Sequence, residues 1–167
     1  MEVPASLLKT LSPMNFTITI ILCVLVQIAF SQSIATTFEK AEKQGISISE
    51  LDSKYQSALH DDSTKAVFND RKDEFYKAYV ALLKDLNTHL TKNGYVWNQP
   101  VRCFNRIYLS AEGRIEYFLY NFPKGSLEGQ KEAEFNRLLK SFIKDYQFPM
   151  TAKTKFAQCS PVTYKSE

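Results

Sequence analysis

The alternation of hydrophobic and polar positions is clearest in the second half of the chain. Two runs, 102–109 and 115–122, are rich in β-branched and aromatic residues, and a short polar stretch with one glycine separates them. This pattern is typical of a β-hairpin. A three-residue loop, 111–113, lets Gly113 take the left-handed conformation that other residues resist.

The loop also predicts the register of the hairpin, because side chains alternate between the two faces of a strand. Ser110 lies opposite Arg114, and residues paired across the strands share a face. One face is predicted to carry the pairs Leu109–Ile115, Ile107–Tyr117, Asn105–Leu119 and Cys103–Asn121, and the other Phe104, Arg106, Tyr108, Glu116, Phe118, Tyr120 and Phe122. Both faces are largely apolar, so we expect both to be covered.

A helical pattern follows the hairpin, from about residue 127 to 146, with Ser126 as its predicted N-cap and Pro149 as its stop. Such a helix spans roughly 30 Å and can return the chain along the sheet. A third strand, 153–159, then runs parallel to the second, and a right-handed crossover places it beside the first. The apolar stripe of the helix is Phe135, Leu138, Leu139, Phe142, Ile143 and Tyr146.

The first half of the chain reads as helical. Ser47 and Glu50 form a capping box that starts a helix reaching about residue 60. A second helix begins between 64 and 70, runs to 92 and is closed by Gly94. The preceding segment, 34–44, is weakly helical. The inward positions are Leu51, Tyr55, Ala58 and Leu59 on one helix and Phe75, Tyr79, Leu82, Leu83, Leu86 and Leu90 on the other.

These elements predict one α+β domain over 32–167, with a helical part at 32–94 and a ββαβ part at 101–164. Its mixed sheet has three strands in the order second, first, third. The C-terminal helix covers the face of Ile107, Tyr117 and Leu119, and the N-terminal helical hairpin covers the face of Phe104, Phe118 and Tyr120. Trp97, between the two parts, is expected to be a packing residue.

Residues 1–31 have the features of a signal peptide. An uncharged stretch, 16–30, follows Lys9 and ends in the small-x-small pattern that signal peptidase prefers. We expect cleavage between Ser31 and Gln32 and a periplasmic or secreted protein. The alternative is a protein that retains 16–30 as a membrane anchor, which is the only membrane contact predicted.

Two cysteines follow the leader, Cys103 and Cys159. In an oxidising compartment an even count favours a disulfide. The predicted strand order brings the start of the first strand next to the end of the third, and so brings the two residues together. The alternative is a pair of buried free thiols.

The composition is that of an ordinary globular domain: 167 residues, 44% of them hydrophobic and 23% charged, with a formal net charge of +3. Basic and acidic residues are interleaved throughout. This favours a mixed solvated surface, so we expect no nucleic-acid partner.

The sequence contains no recognisable catalytic, cofactor-binding or metal-binding motif. Its two histidines are His60, which ends a predicted helix, and His89, beside the stripe of the next helix. Arg106 and Glu116 are expected to form a structural ion pair on the sheet. We therefore expect neither an enzyme nor a cofactor; the alternative is a hydrolase that gathers a histidine and a carboxylate from distant segments.

Segment 106–117, a strand, a tight glycine turn and a second strand, together with 146–149 at the end of the helix, resembles the C-terminal domain of TonB-type energy transducers. The resemblance covers about 60 residues and implies a ββαβ fold and an envelope location. We expect a cleaved leader and helices in this chain where that family has an anchor and a proline-rich spacer, so energy transduction or contact with an outer-membrane protein is an alternative only. The leader is also similar to those of small exported proteins of Gram-negative bacteria.

The function expected from these observations is an exported binding or structural module. An envelope protein or a second copy is expected to dock on the free edge of the second strand, because open edges recruit strands. The third strand is defended by Lys153, Lys155 and Pro161. The docking residues predicted on the second strand are Ile115, Tyr117, Phe118, Leu119 and Tyr120.

Overall fold

A computed structural model describes residues 33–166 of the chain. The predicted signal peptide, the alternative anchor at 16–30 and the expected cleavage point lie outside the described residues. No helix within 33–166 is both long and apolar enough to cross a membrane.

Within residues 33–166, five strands form one mixed sheet: β1 Ile34–Thr37, β2 Gln56–Ser57, β3 Val101–Leu109, β4 Ile115–Asn121 and β5 Phe156–Tyr164. Their order in the sheet is β1-β4-β3-β5-β2. The central strand β3 is antiparallel to β4 and β5, whereas β1 and β2 are parallel to β4 and β5, respectively. The α+β class is confirmed, and the three C-terminal strands have the predicted order.

The prediction of three strands is wrong, because the first half of the chain contributes two more. Ile34–Thr37 was expected to be weakly helical and instead pairs with β4, while Gln56–Ser57 leaves the predicted helix and pairs with β5. Both segments are too short to show a period of two. Each is extended only because an unpaired strand edge lies next to it, so local pattern did not predict it.

The predicted turn is present, and a β-bulge follows it. Gly113 has a φ of +85°. Ser110 lies opposite Arg114, and the backbone N–H of Ser110 donates to the carbonyl oxygen of Arg114 at 2.8 Å. Leu109 then pairs with Ile115 as predicted, but Tyr108 pairs with Tyr117, so Glu116 is one extra residue in β4 between these two pairs. Such an insertion places every later side chain of the strand on the face opposite to the one predicted.

The bulge corrects the predicted faces of the hairpin. Ile107 pairs with Phe118, Asn105 with Tyr120 and Phe104 with Asn121, instead of the partners one residue earlier. The two apolar faces therefore have different members from those expected. Ile107, Phe118 and Tyr120 lie on one face, and Tyr108, Tyr117 and Leu119 on the other.

Helices cover both faces of the sheet. The helices are α1 Phe38–Lys43, α2 Ile48–Lys54, α3 Lys72–Lys92 and α4 Gly129–Asp145, with short 3-10 turns at Ser63–Lys65 and Asn69–Arg71. The long helices α3 and α4 lie together over Ile107, Phe118 and Tyr120, and the short helices α1 and α2 lie over Tyr108 and Leu119. The expected division, with the N-terminal hairpin on one face and the C-terminal helix on the other, is wrong.

The helix signals in the sequence correctly predicted the start of α2, the apolar stripes of α3 and α4, and the end of α3. The side chain of Ser47 caps α2 by accepting the N–H of Glu50, and Gly94 closes α3 with a φ of +81°. However, α2 ends at Lys54 because the next residues join the sheet. Ser126 is not the N-cap of α4; its hydroxyl donates to the carbonyl of Pro123, and Glu128 takes the cap position.

Candidate functional site

The two histidines have partners that fit structural roles. His60 lies in an exposed turn, where its Nδ1 accepts the N–H of Asp62 at 2.9 Å. His89 bridges the long helices, with Nε2 2.9 Å from Ser141 Oγ and its ring 5.6 Å from the ring of Phe142. Among residues 33–166, no group of three potential metal ligands comes together.

The expected disulfide between Cys103 and Cys159 is not formed. Both are free thiols, and in the ladder between β3 and β5 Cys103 pairs with Val162 while Cys159 pairs with Arg106. The antiparallel order does bring β3 beside β5, but the true register leaves the cysteines three pairs apart, on opposite faces. Burial raises the pKa of the Cys103 thiol to about 12.

The edge of β4, expected to receive a partner, is occupied by the chain itself. β1 pairs with it from Ile34, opposite Tyr117, to Thr37, opposite Tyr120. The hydroxyl of Ser33 donates to the carbonyl of Ile115 at 2.7 Å. Ile115, Phe118, Leu119 and Tyr120 are buried, and Tyr117 is half-buried. An added strand has no room here while β1 is in place.

A polar network joins α2 to the sheet. Tyr55, the C-cap of α2, donates its hydroxyl to Glu116, and Lys155 contacts both oxygens of that carboxylate at 2.8 and 3.0 Å. The bulge makes this contact possible, because Glu116 and its neighbour Tyr117 both contact Tyr55. The Glu116 side chain is only 12% exposed.

A second part of the network centres on Asp52. One oxygen of its carboxylate lies 2.6 Å from Arg106 and the other accepts the Tyr108 hydroxyl at 2.9 Å. The predicted ion pair between Arg106 and Glu116 is therefore not formed. Burial and the bond to Glu116 raise the pKa of Tyr55. All four carboxylate oxygens have partners, so this network fixes α2 to the sheet.

A cleft of about 270 Å³ lies where the linker before β3 meets the start of α4. Its polar rim includes Asn98, Gln99, Glu128 and Lys131. Trp97 borders it but is only 4% exposed. The indole stacks on Tyr164 at 5.1 Å and donates its Nε1–H to Asn87. The prediction that Trp97 is a packing residue is confirmed.

A second groove, of about 200 Å³, lies between α3 and the last part of β5. Its walls are apolar, and the charged residues that line it, Lys84 and Lys165, are both basic. The other lining residues are Val80, Leu83, Asn87, Val162, Thr163 and Tyr164.

The strand beside this groove is unpaired on its outer side. β2 covers β5 only at Phe156 and Ala157, and no other strand within 33–166 pairs with that side. The sequence did not indicate this site, because the third strand was predicted at 153–159 with Lys153, Lys155 and Pro161 as its defence. In the structure β5 spans Phe156–Tyr164, so both lysines precede it and Pro161 lies within it. Proline is tolerated at a strand edge where its missing N–H faces solvent, so Pro161 also indicated which side is open.

The fold and this groove define a small α+β domain with a half-open sheet edge beside a helix. Comparison with known proteins identifies no relative: no protein-family model, no curated protein and no solved structure matches the chain at a significant level.

Proposed function

We propose that this protein is an exported, non-catalytic binding module of the cell envelope that holds a segment of a partner protein at the open half of β5. The observation that carries the proposal is the unpaired side of β5 next to an apolar groove. Open strand edges beside a helix are a common means of peptide recognition, because backbone hydrogen bonds give affinity and side-chain pockets give specificity.

The rest of the molecule is suited to carry such an edge. β5 is paired along its whole inner side with β3, from Phe156 to Tyr164. α3 is fixed above it, with the hydroxyl of Tyr79 2.5 Å from Ser160 Oγ. A rigid edge loses little conformational entropy when a partner binds, which favours affinity.

Export is proposed from the leader at 1–31. N-terminal sequencing of protein from the cell envelope tests it. We expect the mature chain to begin at Gln32; a chain that still carries 16–30 contradicts cleavage and favours the anchored form.

The binding proposal is tested by placing a photoreactive side chain at Thr163 in the full chain, in its native cells. We expect cross-linking to one partner polypeptide. The same side chain at Lys140, which is exposed on α4, is the matched control and should give no such product. No product from Thr163, or the same products from both positions, contradicts the proposal.

The TonB-like alternative shares this binding step and adds the identity of the partner. An outer-membrane protein in the Thr163 cross-link would favour it. We do not propose the hydrolase alternative, because His60 and His89 have the structural partners described above.

A further inference from the structure

The direction of the backbone groups along β5 follows from its contact with β2. The carbonyls of Lys155 and Ala157 accept the N–H groups of Gln56 and Ala58, at 3.0 and 2.8 Å. Backbone groups of alternate residues in a strand point to the same side. The register with β3 has no shift from Phe156 to Tyr164, so Cys159, Pro161 and Thr163 also point outward.

These outward groups are not equally available. The Gln158 side chain donates to the carbonyl of Cys159 at 3.0 Å, and Pro161 has no N–H. The backbone groups that remain available on the outer side of β5 are the carbonyl of Pro161 and the N–H and carbonyl of Thr163. An added strand is therefore confined to the C-terminal part of β5, the part that lines the groove.

This set of groups fits a parallel strand. In a parallel ladder, one residue of the partner lies opposite Val162, donates to the carbonyl of Pro161 and accepts from the N–H of Thr163. No bond in that pattern needs the missing N–H of Pro161. In an antiparallel ladder the residue opposite Pro161 would lack a donor for its carbonyl. β2, which lies farther back along the same side, is already parallel to β5.

The groove has a direction as well. α3 runs along β5, with Tyr79 at Ser160 and Asn87 joined through Trp97 to Tyr164. The apolar side chains Val80 and Val162 line it together with the basic Lys84 and Lys165. Lys165 follows the last residue of β5, so a parallel segment would bring its C-terminal end to this positive charge.

We propose that the groove takes the extended C-terminal end of a partner protein as a sixth strand, parallel to β5, with its carboxylate at Lys84 and Lys165. The middle of the segment is apolar on the side that faces Val80, Leu83 and Val162. This inference rests on the proposed function and adds the direction and the chemistry of the ligand. A glutamate or aspartate side chain at the end of an internal segment offers the same chemistry, and the experiment separates the two sources.

The probe is an acetylated peptide of alternating threonine and valine, titrated into the isotope-labelled full chain and followed by NMR. It is made with a free C-terminal carboxylate, with a C-terminal amide, and with a terminal glutamate followed by an amide. We expect the free acid to protect the amide of Thr163 from exchange and to bind at least about threefold more tightly than the plain amide. Tighter binding of the glutamate version instead assigns the carboxylate to a side chain and overturns the C-terminal source.

Two sets of changes test the geometry. Single N-methyl groups along the peptide should weaken binding at alternate residues only, because only every second N–H faces β5; an effect that ignores this alternation overturns strand addition. Lys165→Gln and Lys84→Gln should each lower the affinity for the free-acid peptide by about threefold. Lys140→Gln on α4 is the control and should leave this affinity unchanged. Unchanged affinity in both groove variants overturns the carboxylate contact.

The variant Thr163→Pro removes the outward N–H without removing a bond to β3, and it should abolish peptide binding. The N-methyl series gives the same information if this variant does not fold. If the free-acid and amide peptides protect Thr163 equally well, the proposed contact of the carboxylate with Lys84 and Lys165 is overturned, while the proposed function stands. Failure of every peptide to protect Thr163 overturns this inference, and the Thr163 cross-link decides separately whether the module binds a protein at all.

Discussion

At the scale of single residues, Gly113 is the position where both the backbone conformation of the turn and the packing around it require glycine. Its φ is +85°, and a Cβ there would lie 2.7 Å from the carbonyl oxygen of Phe148 and 2.8 Å from that of Met150. Those backbone atoms are held in turn, since Phe148 donates its N–H to the carbonyl of Gly113 at 3.0 Å. The turn therefore connects the hairpin to the segment that leads into β5.

We expect Gly113→Ala to lower the free energy of unfolding by about 3 kcal/mol, from backbone strain plus the clash. Urea denaturation measures it. Gly45→Ala is the matched control: its φ is +76° but nothing lies within 4 Å of a Cβ there, so about 1 kcal/mol is expected. Equal losses in the two variants would show that the contact with Phe148 and Met150 is unimportant.

The two thiols of the sheet should differ sharply in reactivity. Cys159 is exposed and Cys103 is buried, and the pKa of Cys103 is raised to about 12 by burial, which suppresses its reactive thiolate. Iodoacetamide on the native protein, followed by peptide mass mapping, should modify Cys159 first. In denaturant without reductant both should react. Resistance of both to alkylation in denaturant would instead support the disulfide expected from the sequence.

At the scale of elements, the attachment of α2 depends on the bulge in β4. Glu116→Ala would leave the buried hydroxyl of Tyr55 and the ammonium of Lys155 without their partner. We expect a loss of about 2 kcal/mol in unfolding free energy. We also expect the substitution to speed amide exchange in α2, relative to the unchanged protein, more than in α3.

The control for this prediction is Glu50→Gln on the same helix. Glu50 pairs with Lys54 at 3.7 Å, and both side chains are mostly exposed, at 68% and 65%. Exposed pairs of this kind contribute little, so a change below about 0.5 kcal/mol is expected. If Glu116→Ala is equally mild, the network does not hold α2.

At the scale of the whole molecule, buried tyrosines make the fold sensitive to alkali. Burial raises the pKa of Tyr55, Tyr79, Tyr95, Tyr108, Tyr120, Tyr146 and Tyr164, that of Tyr79 to about 12. A folded-state pKa above the unfolded value of about 10 gives stability that is fully present below that pH and is lost as pH rises. The free energy of unfolding should therefore fall steeply above about pH 10.

Each such tyrosine adds about 1.4 kcal/mol per pH unit to this fall, between its unfolded and folded pKa values. Tyr79→Phe should make the decline shallower by about that amount, as measured by urea titrations at several alkaline pH values. Tyr76→Phe, at a site that is 63% exposed, is the control and should keep the original slope. An unchanged slope in Tyr79→Phe would contradict the assignment.

What the sequence determined by itself was local. The apolar stripes of α3 and α4, the Ser47 cap, the Gly113 turn and the order β4-β3-β5 all follow from spacing, capping and the handedness of crossovers. The stripes, the cap and the turn depend on neighbours a few residues away, and the strand order depends on a crossover whose handedness is nearly fixed, so the sequence of the chain itself is enough to show them.

Tertiary structure decided what distant segments do to one another. Ile34–Thr37 becomes a strand only because β4 has an edge to fill, and Glu116 bulges out of β4 where Tyr55 from α2 supplies its partner. That one extra residue exchanges the faces beyond it. It is β1 that fills the edge of β4, so the open edge lies on β5. A strand has a period of two, so the single insertion at Glu116, whose carboxylate contacts Tyr55 61 residues away, reverses an otherwise sound local prediction.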